Sequence, residues 1–96
     1  MGDSPSERLR LDLFLKRSGL VKRRSLAATL CENGYVTCNG RPAGPGKAIK
    51  GGDRVEVRYA RKKVLLEVTQ IPGKGRRTEC YKVLDEQIIE EDLFGD

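Results

Sequence analysis

Histidine and tryptophan are absent from this sequence, phenylalanine occurs twice and methionine once. No apolar run approaches the roughly 18 residues of a membrane-spanning helix. Without histidine the commonest general base is missing, and no Ser or Cys stands in a recognisable nucleophile pattern, so catalysis is not expected. The three cysteines, Cys31, Cys38 and Cys80, form an odd set with no CxxC pair. That set offers neither a zinc site nor a disulfide framework. Cys31 and Cys38 lie among apolar residues and read as small buried hydrophobes of a reducing cytosol. The segment Met1 to Arg10 lacks the apolar stretch of a signal peptide, and a cytoplasmic location is expected. No glycine-rich loop matches a phosphate-binding fingerprint: Gly44-Pro45-Gly46-Lys47 has proline where backbone donors would be wanted and no Ser or Thr opening a helix after it. Nucleotide hydrolysis is set aside, and no cofactor or metal is expected.

What is present is charge. The 96 residues suffice for one modest domain, with 38% apolar residues to build a core of Leu, Val, Ile and Ala. Nineteen Lys and Arg face fourteen Asp and Glu, a net +5. Six of those acids fall between Asp85 and Asp96, where there is no base, so residues 1–84 set 19 bases against 8 acids, a net +11. A basic body with an acidic tail calls for a polyanionic partner, because each Lys or Arg brought to a phosphate releases condensed counterions.

Leu11, Phe14 and Leu15 space out a short amphipathic helix with Lys16 and Arg17 on its flank and a stop near Gly19. Its start is expected at Leu13 with Asp12 as cap, in preference to a capping box at Ser4, Pro5 and Glu7. Ser25 is the expected cap of a second helix in which Leu26 and Leu30 make one apolar stripe, ended by Gly34. The period then changes to two. Tyr35 to Cys38 reads as a strand, Asn39-Gly40 as a type I′ turn, and Ala43 to Asp53 as a loop around a brief extended piece at Ala48-Ile49. Val55, Val57 and Tyr59 alternate with Arg54, Glu56 and Arg58, and Val64, Leu66 and Val68 with Leu65 and Glu67, giving an antiparallel pair across Arg61-Lys62-Lys63. Pro72 to Arg77 reads as a basic linker, Cys80 to Leu84 as a candidate last strand, and Asp85 to Asp96 as a frayed helix or a disordered tail.

Between Arg8 and Arg24 lie seven bases, Arg8, Arg10, Lys16, Arg17, Lys22, Arg23 and Arg24, against the single acid Asp12. A solvated helix face would interleave the two signs; this cluster fits an RNA backbone. Arginine suits the task because its planar guanidinium makes bidentate bonds to phosphate and stacks on exposed bases. Helix N-termini near Asp12 and Ser25 would add backbone donors. Asp12 reads equally as a helix cap and as the partner of a neighbouring arginine.

Arg10-Leu11-Asp12-Leu13-Phe14-Leu15-Lys16, then Lys22-Arg23-Arg24-Ser25-Leu26-Ala27, then Gly34-Tyr35-Val36-Thr37-Cys38-Asn39-Gly40 together resemble the S-four RNA-binding domain. That domain is named for small-subunit ribosomal protein four. The likeness runs on through Arg41-Pro42, Lys47 and Gly51-Gly52-Asp53, over about residues 8–70. It implies an α+β fold of the αL type, two antiparallel helices packed on a small, bent, mostly antiparallel sheet. RNA is then expected across the helices and the first hairpin, with Arg10 and Arg24 as chief contacts and Lys16, Arg23 and Arg41 beside them. Arg8, Arg17, Lys22, Asn39 and Lys47 complete that face. The domain organisation that follows is a flexible N-terminus (1–7), the RNA-binding domain (8–71), a basic linker with the candidate strand (72–84) and an acidic tail (85–96).

Among free-standing members the chain is similar to the fifteen-kilodalton heat-shock proteins and, more closely, to the RqcP (YabO) family. The resemblance implies a monomeric factor that binds ribosomal RNA and tRNA on the large ribosomal subunit in quality control of stalled ribosomes. Leu13, where relatives often carry a polar residue, and the longer acidic tail depart from the pattern. Two other readings are an accessory that guides a separate RNA-modifying enzyme and an adaptor that binds a basic protein through the tail.

Overall fold

The computed structural model describes residues 8–59, 61–71 and 80–89. The expectations for Ser4, Pro5 and Glu7, for the 72–77 linker and for the end of the acidic tail lie outside those residues. The order of elements is β1 (Leu9–Arg10), α1 (Leu11–Arg17), α2 (Arg24–Glu32), β2 (Val36–Cys38), β3 (Arg41–Pro42), β4 (Ala48–Ile49), β5 (Arg54–Tyr59), β6 (Lys62–Val68) and β7 (Tyr81–Ile88). Five strands form an antiparallel sheet in the order β3-β2-β5-β6-β7, and β1 pairs with β4 as a separate two-stranded ribbon. The fold is α+β, two helices with an antiparallel sheet.

One core joins helices and sheet. Leu11, Phe14 and Leu15 of α1, Ala27, Leu30 and Cys31 of α2, and Val36, Val55, Val57, Leu66 and Val68 of the sheet are all buried in it, with Cys38 and Cys80. The period-two pattern of β5 explains its contribution: Val55 and Val57 point inward while Arg54 and Arg58 stay in water. The interhelical linker is anchored too. Val21 is 1% exposed, its N–H bonds the Leu15 carbonyl at 3.1 Å, and Gly19 makes the bend with φ +84°.

Several boundaries differ from the sequence reading. Helix α1 begins at Leu11 rather than Leu13, because its first donors are satisfied from far along the chain: Leu11 N–H bonds the Lys47 carbonyl at 2.8 Å and Asp12 N–H the Pro45 carbonyl at 3.1 Å. Helix α2 begins at Arg24 with Arg23 as its cap residue, not Ser25, and no side chain closes its end. The β5–β6 turn is tighter than expected. Arg61 takes φ +67°, and Lys62 and Lys63 are already paired with Tyr59 and Arg58. Asn39 and Gly40 both have positive φ, +54° and +85°, as a type I′ turn requires. Strand β7 continues past Leu84 to Ile88, so Asp85 and Glu86 sit in the sheet; it follows β6 along its whole length, with Leu84 as the extra residue of a bulge. No helix among the described residues is long and apolar enough to cross a membrane.

Candidate nucleic-acid interface

The site is organised around a carboxylate. Asp12 sits in the first turn of α1 with 5% of its side chain exposed, between arginines that are half exposed. Arg10, the last residue of β1, donates from Nε to Oδ1 at 3.2 Å and from Nη2 to Oδ2 at 3.3 Å. Arg24, the first residue of α2, donates from Nε to Oδ2 at 3.4 Å. The Leu13 N–H completes the set at 2.7 Å from Oδ1. Of the two roles left open by the sequence, Asp12 takes that of arginine partner; it stands inside the first turn, accepts the N–H of the next residue and is not the helix cap, a position held by Arg10 without a side-chain bond. Burial opposes its ionisation, but the Arg10 hydrogen bonds, the charge of Arg24 and the Leu13 N–H outweigh that and hold the carboxyl below its usual range.

Sequence brings Arg10 and Arg24 no nearer than fourteen positions; the fold brings them to one anion. Two pairings accomplish this. The β1–β4 ribbon, Leu9 opposite Ile49 and Arg10 opposite Ala48, fixes the chain on one side. The packing of α2 on α1 through Leu30, Ala27, Leu11 and Phe14 fixes the other. The loop before β4 closes over the start of α1, and a side chain at Gly46 would begin 3.9 Å from the Arg10 guanidinium, so the backbone there lies against the arginine.

That loop leads to the first hairpin. Cys38, Asn39, Arg41, Pro42, Ala43 and Lys47 line an open concavity of about 360 Å³, with the exposed Arg41 and Lys47 on its wall. Asn39 enters this surface as a brace. Its Oδ1 accepts the Arg54 N–H at 3.0 Å and its Nδ2 donates to Asp53 at 3.2 Å, which ties the exposed amide to the neighbouring turn.

Asp53 is a second buried carboxylate, 6% exposed, held by the Lys50 N–H and Lys50 Nζ, both at 3.0 Å, and by Asn39. Burial again raises its pKa and those bonds more than reverse the effect. The sequence reading marked Gly51-Gly52-Asp53 as a turn but not as an ionic site. An acid closing a glycine turn three residues after a lysine was the available signal.

The remaining candidates lie beside these residues in the chain. Arg8, Lys22 and Arg23 are exposed, and Lys16 and Arg17 lie in the last turn of α1, roughly 7 Å along the helix axis from Asp12. The backbone donors expected at the start of α1 are not offered outward, since Lys47, Pro45 and Asp12 itself take them. What the site presents is therefore side-chain charge: two guanidinium groups turned edge-on to a buried carboxylate with their remaining N–H groups free of it, flanked by further cations. Such an arrangement can grip phosphodiesters and stack on bases; it holds no nucleophile-base pair.

Comparison with known proteins places residues 9–55 in a match to the S4 domain. A relative from Halalkalibacterium halodurans described as "RQC P-site tRNA stabilizing factor" is 42% identical over 84 residues, covering 84% of this chain and 96% of that one. A Bacillus subtilis relative of the same description is 35% identical, covering 86% of this chain and all of its own. A "Heat shock protein 15 homolog" of Aeromonas salmonicida is 30% identical over 82% of this chain, which spans only 60% of that relative. Among solved structures, the Vibrio cholerae heat shock protein 15, described as trimeric, superposes with a TM-score of 0.69 at 28% identity, covering 80% of this chain and 82% of that one.

Proposed function

Because the chain belongs to the S4-domain family of RQC P-site tRNA stabilizing factors, we propose that it binds structured RNA on the large ribosomal subunit and steadies tRNA there during quality control of stalled ribosomes. The observation that carries this reading is the convergence of Arg10 and Arg24 on buried Asp12, within a face that also carries Arg41 and Lys47. Relatives bearing that description match almost end to end, which supports the same task for this chain.

The protein acts by binding alone, as a cytoplasmic monomer, with ribosomal RNA and peptidyl-tRNA as partners. Charge brings the basic face to RNA, and the guanidinium forks fix its register on phosphates. Arg8, Arg10, Lys16, Arg17, Lys22, Arg23, Arg24, Arg41 and Lys47 make the contacts, with Asn39 shaping the hairpin beneath them.

The test is sedimentation of the tagged protein through sucrose gradients at low and high salt, with tRNA and ribosomal RNA probed in each fraction. Co-migration with free large subunits that retain peptidyl-tRNA is the expected result; a protein confined to the top of the gradient would overturn the proposal. Arg10→Ala and Arg24→Ala should each weaken RNA binding by about 1–3 kcal/mol, as loss of a charged bidentate contact does. Unchanged affinity in both would remove this face from consideration.

A further inference from the structure

Asp12 is the anomaly of the basic face. A negative charge among cations that are to meet RNA repels the ligand, and simple charge counting makes it a residue whose neutralisation tightens binding. We propose instead that Asp12 is a positioning residue for RNA recognition, a buried carboxylate that holds Arg10 and Arg24 in a paired orientation before RNA arrives. The inference rests on the RNA-binding reading and specifies how its central residues work.

Hydrogen-bond bookkeeping supports it. A guanidinium carries five N–H donors. Arg24 gives Asp12 only its Nε–H, leaving both terminal nitrogens unengaged by the carboxylate. Arg10 gives Nε and Nη2, leaving Nη1 and the second Nη2 hydrogen. With the carboxylate 5% exposed and the arginines 54% and 49% exposed, the carboxylate is shielded while both arginine side chains remain open to solvent, from which a phosphodiester would come. The two arginines leave different elements, β1 and α2, so a shared anion fixes the distance between their forks as well as the direction of each. A long side chain already held loses less rotamer freedom on meeting phosphate than a free one. The carboxylate is itself fixed by the Leu13 N–H on a helix whose first donors are tied to Pro45 and Lys47.

The experiment compares Asp12→Asn with Glu32→Gln for binding to purified large ribosomal subunits over a range of salt. Both add one unit of positive charge, and Glu32 is exposed at the far end of α2. Glu32→Gln should bind as well as the parent or slightly better at low salt. Asp12→Asn should bind on the order of tenfold more weakly, at temperatures where melting shows it folded. In an Arg10→Ala/Arg24→Ala background the same Asp12→Asn change should cost nothing further, which a general loss of structure would not reproduce. Asp12→Asn binding as tightly as Glu32→Gln would overturn the positioning role while leaving the RNA reading intact; absence of subunit binding by the parent protein would overturn both. Should Asp12→Asn not fold, the parent answers by NMR. Slowly exchanging, dispersed Nε–H signals from Arg10 and Arg24 before RNA is added are the expected result, and averaged signals would overturn the proposal.

Discussion

Asp12 and Asp53 each keep a charge almost out of water, and each thereby links stability to pH. Both carboxyls lie below the usual value of 3.8 in the folded protein. A group whose folded pKa is depressed contributes stability that is fully present above the unfolded value and is lost as pH falls through the folded one. Thermal unfolding should therefore be insensitive to these two residues between about pH 7 and pH 5 and lose stability below about pH 4. Asp53→Asn, already without its share, should show a shallower acid decline; a steeper one would contradict the linkage. The cysteines behave in the opposite sense. Burial, with the charges of Asp12 and Glu32 adding to it, pushes the Cys31 thiol up to about 11, and burial raises Cys38 and Cys80 as well. Native protein at pH 8 should react with a thiol reagent only as fast as it opens, while all three thiols titrate at once in denaturant. Prompt reaction of even one thiol in the native state would contradict their burial.

At the scale of elements, protection should be uneven. The residues of β7 beyond Tyr81 are all exposed, with Val83 46%, Leu84 38% and Ile88 76% accessible, whereas α1 buries Leu11, Phe14 and Leu15 completely. Little apolar packing resists the parting of β7 from β6, so hydrogen exchange of the Val83 to Ile88 amides should run orders of magnitude faster than that of Leu15 or Leu30. Equal protection would mean that something covers this strand. The elements themselves were largely legible, because Leu26/Leu30 and Val55/Val57 carry their period openly and Asn39-Gly40 can be read as a turn from composition alone. The stops of the helices at Gly19 and Gly34 were legible as well, but their starts were not. Asp12 and Ser25 are good caps by local chemistry, yet α1 is closed by carbonyls more than thirty residues away, a tertiary fact with no local trace. The length of β7 was hidden for a related reason: Asp85, Glu86 and Gln87 show no inward-outward pattern because neither face of the strand is buried, so only its pairing with β6 makes it a strand.

The molecule is 45 Å long and 24 Å by 23 Å across, and its described acids in β7 lie on an edge strand of the five-stranded sheet, whereas the arginines around Asp12 lie on β1 of the separate ribbon and on α2. RNA affinity should fall steeply with salt, by about 0.7 to 0.9 units of log affinity per unit of log salt for each phosphate neutralised, and Arg24→Ala should reduce that slope by about one contact. A salt-independent affinity would exclude a phosphate-binding face. Composition made the polyanionic partner legible, and the Arg10 to Lys16 and Lys22 to Ala27 segments made the family legible; the ionic centre of the site was half visible, since the family resemblance marked Arg10 and Arg24 as chief contacts and Asp12 was marked as a candidate arginine partner, but nothing local joined both arginines to that one carboxylate. The borrowed closure of α1 also bears on how the protein is made. A seven-residue helix without a side-chain cap does not persist alone in water, so as the chain leaves the exit tunnel its first half emerges unformed. Only when Pro45, Lys47 and Ile49 are outside can β4 meet β1, α1 close and Arg10 turn to Asp12. A nascent fragment of this protein, still tethered to the ribosome that is translating it, therefore lacks the paired arginines, and the capacity to clasp RNA appears only after about half the chain has been synthesised.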